Sequence, residues 1–283
     1  MWGMRNARRL NDGIAISLCL ALVGLGALAG CEPGDLSPDD GEPTSFAGGK
    51  ADDPNAAPLP DITGAYALEL ISTVSSRNTE TGEVKTYEPR ITALVTATQE
   101  GSAVTLKVKI CDALLPEVAS YEPTMAPGLI ASLAAVTATG TLVREESGVR
   151  LATEPAAVVI GARLQSPVTD ALPTSSSDSR VVDQDGDGKP GVTISAMGFN
   201  VYGAVRAIFE LDGRVGENGG ISGPANLEES YAIYGDTVPF VDVRAKVEAS
   251  ARTHEVTHED EFLLVPLDED ASCASVSAPG IFD

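Results

Sequence analysis

From Gly64 onward, apolar and polar residues alternate with a period of two, and that alternation restricts the chain to a half-buried, antiparallel β fold. Val104, Leu106, Val108 and Ile110 alternate with Thr105, Lys107 and Lys109, so one face of this segment meets a core and the other meets water. The segment from Ile91 to Thr98 precedes it across Gln99-Glu100-Gly101-Ser102, which predicts a hairpin. Tyr66, Leu68 and Leu70 begin the pattern, and Val205, Ala207, Phe209 and Leu211 continue it. Val241, Val243, Ala245, Val247 and Ala249 alternate with Asp242, Arg244, Lys246 and Glu248 and read as another strand. Further strands are expected at 136–143, 149–153, 156–164, 192–197, 229–235 and 261–267, with turns at 145–148 and 216–220. About ten strands, linked mainly as hairpins, predict an all-β domain: a single antiparallel β-barrel or sandwich. One short helix is expected over Met125–Ala135, with Pro127 in its first turn.

Charge narrows the partners. The 283 residues include 41 Asp and Glu against 19 Lys and Arg, a net charge of −22. Neutralising phosphates takes clusters of Lys and Arg, and none occurs, so nucleic acid is excluded, as is electrostatic adhesion to anionic lipid. Apolar residues make up 43% of the chain, too many for an acidic disordered protein. Most of the acids are expected on strand exteriors and turns, where they keep the protein soluble.

The N-terminus differs in kind. Arg5, Arg8 and Arg9 precede an apolar run from Ile14 to Ala29, which closes with Leu28-Ala29-Gly30-Cys31. Residues 1–30 therefore read as a secretory signal peptide whose apolar core is too short to span a bilayer. The Leu-Ala-Gly-Cys stretch resembles the lipobox of bacterial lipoproteins. That resemblance implies cleavage before Cys31, lipidation of its thiol by palmitate-type acyl chains, and anchoring of the protein to a cell-envelope membrane. Two or more chains, at about 0.8 kcal/mol per buried methylene, make such an anchor stable. Glu32 stands where Asp favours inner-membrane retention in the family, which implies the outer membrane over the inner. Removing residues 1–30 leaves 40 acidic and 16 basic residues, a net charge of −24.

Residues 31–60 hold six prolines, seven acids and a single Lys50, the composition of a solvated, acidic, disordered tether. Within it, Gly48-Gly49-Lys50-Ala51-Asp52-Asp53 is similar to a stretch that follows the lipobox in some myxobacterial lipoproteins. Residues 61–283 form the β domain. Cys19 leaves with the leader and Cys31 takes the lipid, so Cys111 and Cys273 remain and are expected to pair in an oxidising envelope.

Asp183-Gln184-Asp185-Gly186-Asp187-Gly188-Lys189 carries the sharpest chemical signal. Carboxylates at loop positions one, three and five converge on one point, Gly188 permits the bend, and the Lys189 carbonyl at position seven faces the same ion. The stretch resembles the Asp-x-Asp-x-Asp-Gly calcium loops of EF-hand, dockerin and thrombospondin type 3 modules, which implies a structural Ca²⁺. It departs from them at position nine, Gly191, and position twelve, Ile194, where the bidentate carboxylate is missing. Waters or another carboxylate, with Asp178 the nearest upstream, would complete the shell.

His254-Glu255-Val256-Thr257-His258 matches the H-E-x-x-H of zincin metalloproteases. The resemblance implies a zinc-dependent hydrolase, with His254 and His258 as ligands and Glu255 as general base. The motif requires a helix, but its surroundings read as strand, Glu261 stands where metzincins carry Gly, and only Glu269 could follow as a third ligand. Gly64-Ala65-Tyr66 resembles the opening Gly-x-Trp of lipocalins, with Tyr for Trp and no second lipocalin motif. That implies a lipocalin-like barrel carrying a small apolar ligand. No Gly-x-Ser-x-Gly elbow or phosphate-binding glycine loop occurs. The sequence points to a non-enzymatic, lipid-anchored binding or scaffolding protein, with the hydrolase and the carrier as alternatives.

Overall fold

The computed structural model describes residues 58–115, 123–196, 198–239 and 242–282. The leader, Cys31 and most of the tether lie outside the described residues. Twelve strands form one antiparallel sheet: β1 (Gly64–Asn78), β2 (Val84–Tyr87), β3 (Arg90–Glu100), β4 (Ala103–Leu114), β5 (Thr124–Met125), β6 (Val136–Glu145), β7 (Gly148–Thr153), β8 (Ala156–Ile160), β9 (Val192–Ala196), β10 (Phe199–Val215), β11 (Ile221–Asp236) and β12 (His254–Leu267). Three helices are described: α1 (Leu129–Ser132), α2 (Val243–Thr253) and α3 (Cys273–Val276). The all-β class and the antiparallel pairing follow the alternation; β4, for instance, buries Val104, Leu106, Val108 and Ile110. Among the described residues no helix is long and apolar enough to cross a membrane.

The ladder runs β11-β12-β1-β3-β4-β6-β7-β10, and β10 pairs back onto β11. Eight strands thus form a ring, but an uneven one, barrel-like rather than a regular barrel. β1 and β12 share fourteen residue pairs, whereas β11 meets β12 only from Ile221–Leu264 to Ala225–Asp260. Inside the ring Leu106, Leu151, Leu211, Ile221 and Leu264 are almost wholly buried. A second apolar cluster joins Leu115, Ile194, Val201, Ile233, Val238 and Val243. Leu59 packs on the main core, and the Arg144 guanidinium donates to the Pro58 carbonyl at 2.8 Å. Residues 58–60 therefore belong to the packed unit.

Two expectations are corrected. Residues 243–253 form helix α2, not a strand. The Asp242 carboxylate accepts from Ala245 N at 3.0 Å and caps the helix, and Ala, Arg, Lys and Glu, which fill the segment, are helix formers. Alternating Val and Ala fits either period over so short a stretch. The helix expected over Met125–Ala135 contracts to the single turn α1. Thr124 and Met125 pair with β9 instead, and Pro127 precedes the N-cap Gly128, whose φ of 83° places it in the left-handed region.

Cys111 on β4 and Cys273 at the start of α3 are bonded, with Sγ–Sγ 2.02 Å and a separation of 162 residues. The bond fastens the C-terminal segment, in which Val276 is buried, against the ring.

Candidate metal centre and interior cavity

The connection from β8 to β9 folds back on itself. Ala162 bridges Val181, Val182 N donates to Gly161 O at 3.1 Å, and Gln184 N donates to Gly191 O at 3.0 Å. Gly191 has φ 91°, and a Cβ there would lie 2.0 Å from Gly203 O, so only glycine lets the loop rest against β10. Asp183 anchors the turn. Its Oδ1 accepts from Gly186 N (2.8 Å) and Asp187 N (3.1 Å), and its Oδ2 accepts from Gly188 N (2.9 Å).

Asp183, Asp185 and Asp187 each offer a carboxylate oxygen, and these oxygens lie within 4.8 Å of one another. A cation with oxygen ligands at 2.3–2.6 Å spans about that distance. Thr193, at position eleven of the loop, ties the carboxylates to β9. Its N–H donates to Asp185 Oδ2 at 2.7 Å and its hydroxyl to Asp187 Oδ2 at 2.5 Å. Asp185 Oδ1 is buried and, among the described residues, has no hydrogen-bond partner. An orphaned buried carboxylate oxygen is costly unless something completes it, and a cation between the three carboxylates would do so.

Lys189 N donates to Asp187 Oδ1 at 2.8 Å, and its ammonium lies 5.5 Å from the Tyr202 ring centroid. Asp178 is not brought into the cluster. Arg180 holds it through Nε at 3.1 Å and Nη2 at 2.8 Å, and these bonds keep the Asp178 carboxyl down at about 2. Thr193 was not foreseen; a hydroxyl next to the expected twelfth position was the available signal.

The His-Glu-x-x-His stretch opens β12, directly after α2 ends. In extended backbone two residues four apart are separated by about 13 Å, so His254 and His258 do not converge as they would on one turn of helix. Asn78 lies 3.4 Å from His254 Nε2, and Glu255 faces Arg77 at 3.6 Å on the surface. His258 Nδ1 lies 2.7 Å from Asp260 Oδ2.

Asp260, unlike most of the acids, belongs to a buried cluster. Its side chain is 2% exposed. Oδ1 accepts from the Ser72 hydroxyl at 2.5 Å and Oδ2 from Leu227 N at 3.1 Å. Leu227 lies just past the last β11–β12 pair, so the carboxylate supplies the acceptor that the departing strand no longer provides. The order Ser72–Asp260–His258 is not that of a nucleophilic triad, because the hydroxyl donates to the carboxylate rather than the imidazole.

Beside this cluster the ring is not filled. A cavity of about 60 Å³ lies between β1, β3, β4, β8, β10 and β11 under α1. Leu68, Val108, Ile130, Val205 and Phe209 are among its walls, and Glu229 is the one ionisable group lining it. Glu229 also lines an adjoining pocket of about 20 Å³ with Ser72, Arg90 and His258. Burial pushes its carboxyl up to about 8, and the charge on Asp260 adds to the rise. Compared with known proteins, the chain matches no family model and no curated protein.

Proposed function

We propose that this chain is a non-enzymatic lipoprotein, anchored through Cys31 to the cell envelope, with the outer membrane favoured, whose β domain binds or scaffolds and is stabilised by Ca²⁺. The observation that carries the calcium reading is the orphaned Asp185 Oδ1, buried between two further aspartates. Oxygen-only ligands select a hard cation. With position twelve occupied by Ile194, the affinity belongs with extracellular modules, about 10⁻⁴ to 10⁻³ M. At 10 mM Ca²⁺ the ion then stabilises the fold by about 1.5–3 kcal/mol. Thermal melts with Ca²⁺, Mg²⁺ or EDTA test this. The melting point should rise with Ca²⁺ in the parent protein and stay fixed in Asp185→Asn. No shift at 10 mM Ca²⁺ rejects the site. Incorporation of labelled palmitate, abolished by Cys31→Ser, tests the anchor.

A second reading, the carrier of a small apolar ligand, is favoured by the apolar cavity inside the ring. A filled core would have supported a scaffold instead.

A further inference from the structure

The cavity inside the ring is apolar to the last exposed atom. Among the described residues its wall presents no polar surface, so Glu229, where it lines the space, contributes carbon only. Polar surface belongs to the adjoining pocket of about 20 Å³, beside Ser72, Arg90 and His258. Three small residues leave the space open: Ala93 on β3, Ala113 on β4 and Ala207 on β10 all line it, and a longer side chain at any of them would enter it. Ile130 of α1 and Leu133 just after it close one side. The Lys109 ammonium holds that turn down, donating to Ala131 O at 3.0 Å and to Leu133 O at 2.5 Å.

The wall discriminates among occupants. A water molecule needs two to four polar partners, and this wall offers none. An alcohol, amine or carboxylate small enough to enter whole would bury its head without a hydrogen bond or a counter-charge, and that desolvation is costly. A molecule with no head gives up no hydrogen bond on leaving water and gains dispersion contacts on every side. Volume then sets the upper bound. An apolar cavity of about 150 Å³ stays dry and takes benzene. The space here, about 60 Å³, is less than half of that, room for roughly two or three carbons or one xenon atom. Fatty acids and larger hydrophobes do not fit.

We propose that the interior of the ring is a dry binding site for small molecules without a polar head: non-polar gases and hydrocarbons of two or three carbons. This rests on the carrier reading and names its ligand class.

NMR of the purified full chain, with the methyl groups of Ile, Leu and Val labelled, tests it under pressurised xenon or propane and, separately, with 1-propanol or n-hexane. Xenon and propane should shift the methyls of Ile130, Leu133 and Val205, and propanol should bind at least about tenfold more weakly than propane. Ala207→Val adds two methyl groups, close to what the cavity holds. It should abolish both sets of shifts while the melting point stays level or rises. Ala93→Val fills the same space from β3 and supplies the comparison if Ala207→Val does not fold. Propanol binding as tightly as propane, or hexane binding more tightly than propane, overturns the ligand class and leaves a carrier. Shifts that persist in a folded cavity-filling variant overturn the location. Failure of every probe to bind, hexane included, overturns the carrier reading as well.

Discussion

Glu229 offers a direct test of how the interior is built. Its carboxyl titrates near 4.5 in an unfolded chain and at about 8 in the folded protein. The raised value means that the folded state prefers the protonated form. The associated stability is fully present below pH 4.5 and is lost as pH rises from 4.5 towards 8. Each pH unit across that window costs about 1.4 kcal/mol, so on the order of 3 kcal/mol is gone at pH 7. Glu229→Gln keeps the shape of the side chain and removes the titration, and Asp260, His258 and Arg90, which face it, are unchanged. Urea denaturation of both proteins from pH 4.5 to 8 isolates the effect, because the other carboxylates titrate in both and cancel. The variant should match the parent at pH 4.5 and exceed it by about 3 kcal/mol at pH 7. A difference that stays flat across the range would show that Glu229 is solvated and that the interior of the ring is not the environment described.

Three further outcomes follow from the geometry. Asp260→Ala leaves Leu227 N, Ser72 and His258 without their acceptor and should cost about 3–5 kcal/mol in chemical denaturation; a loss below about 1 kcal/mol would mean that the seam does not depend on it. Gly191→Ala, at φ 91° and against Gly203 O, should destabilise by about 2–4 kcal/mol. Gly186→Ala, at φ 74° with nothing within 4 Å, should cost only about 1–2 kcal/mol; equal losses in thermal melts would contradict the close approach. Reducing Cys111–Cys273 opens a 162-residue separation, worth up to about 5 kcal/mol in the entropic account. The melting point should fall by roughly 10 °C or more, and an unchanged value with both thiols shown free would refute that account.

Much of the fold was legible because side-chain parity survives in single strands. Val104 to Ile110 needs no partner to declare which face is buried, and the hairpin with β3 follows from four turn residues. The pairing of Cys111 with Cys273 was legible on the expectation that Cys19 leaves with a leader and Cys31 carries a lipid. Asp183, Asp185 and Asp187 were legible because their spacing is local, and local spacing fixes local geometry. Where the reading failed, two periods fitted the same residues: Val243, Ala245, Val247 and Ala249 alternate, yet Asp242 caps a helix that ends only at Thr253. The Asp242–Ala245 capping relation was the available sequence signal, and it outweighed alternation by residues as small as alanine.

The seam between β11 and β12 was illegible for a different reason. Glu228 and Glu229 are adjacent acids, one of which must point inward on any strand. Which one does depends on the register of β11 against β10, where Glu229 stands opposite Ala207. An inward acid is tolerated only because the ring is left open there. β12 parts from β11 after Ala225, Asp260 turns inward to hold the freed Leu227 N–H, and the space beside it keeps room for a carboxyl that a continuous ladder would have excluded. Asp260 and Glu229 lie 31 residues apart in the chain and on strands whose divergence no local pattern encodes. Acidity that reads as a solvated face in composition is here divided, with most of it facing water and two carboxylates turned into the ring.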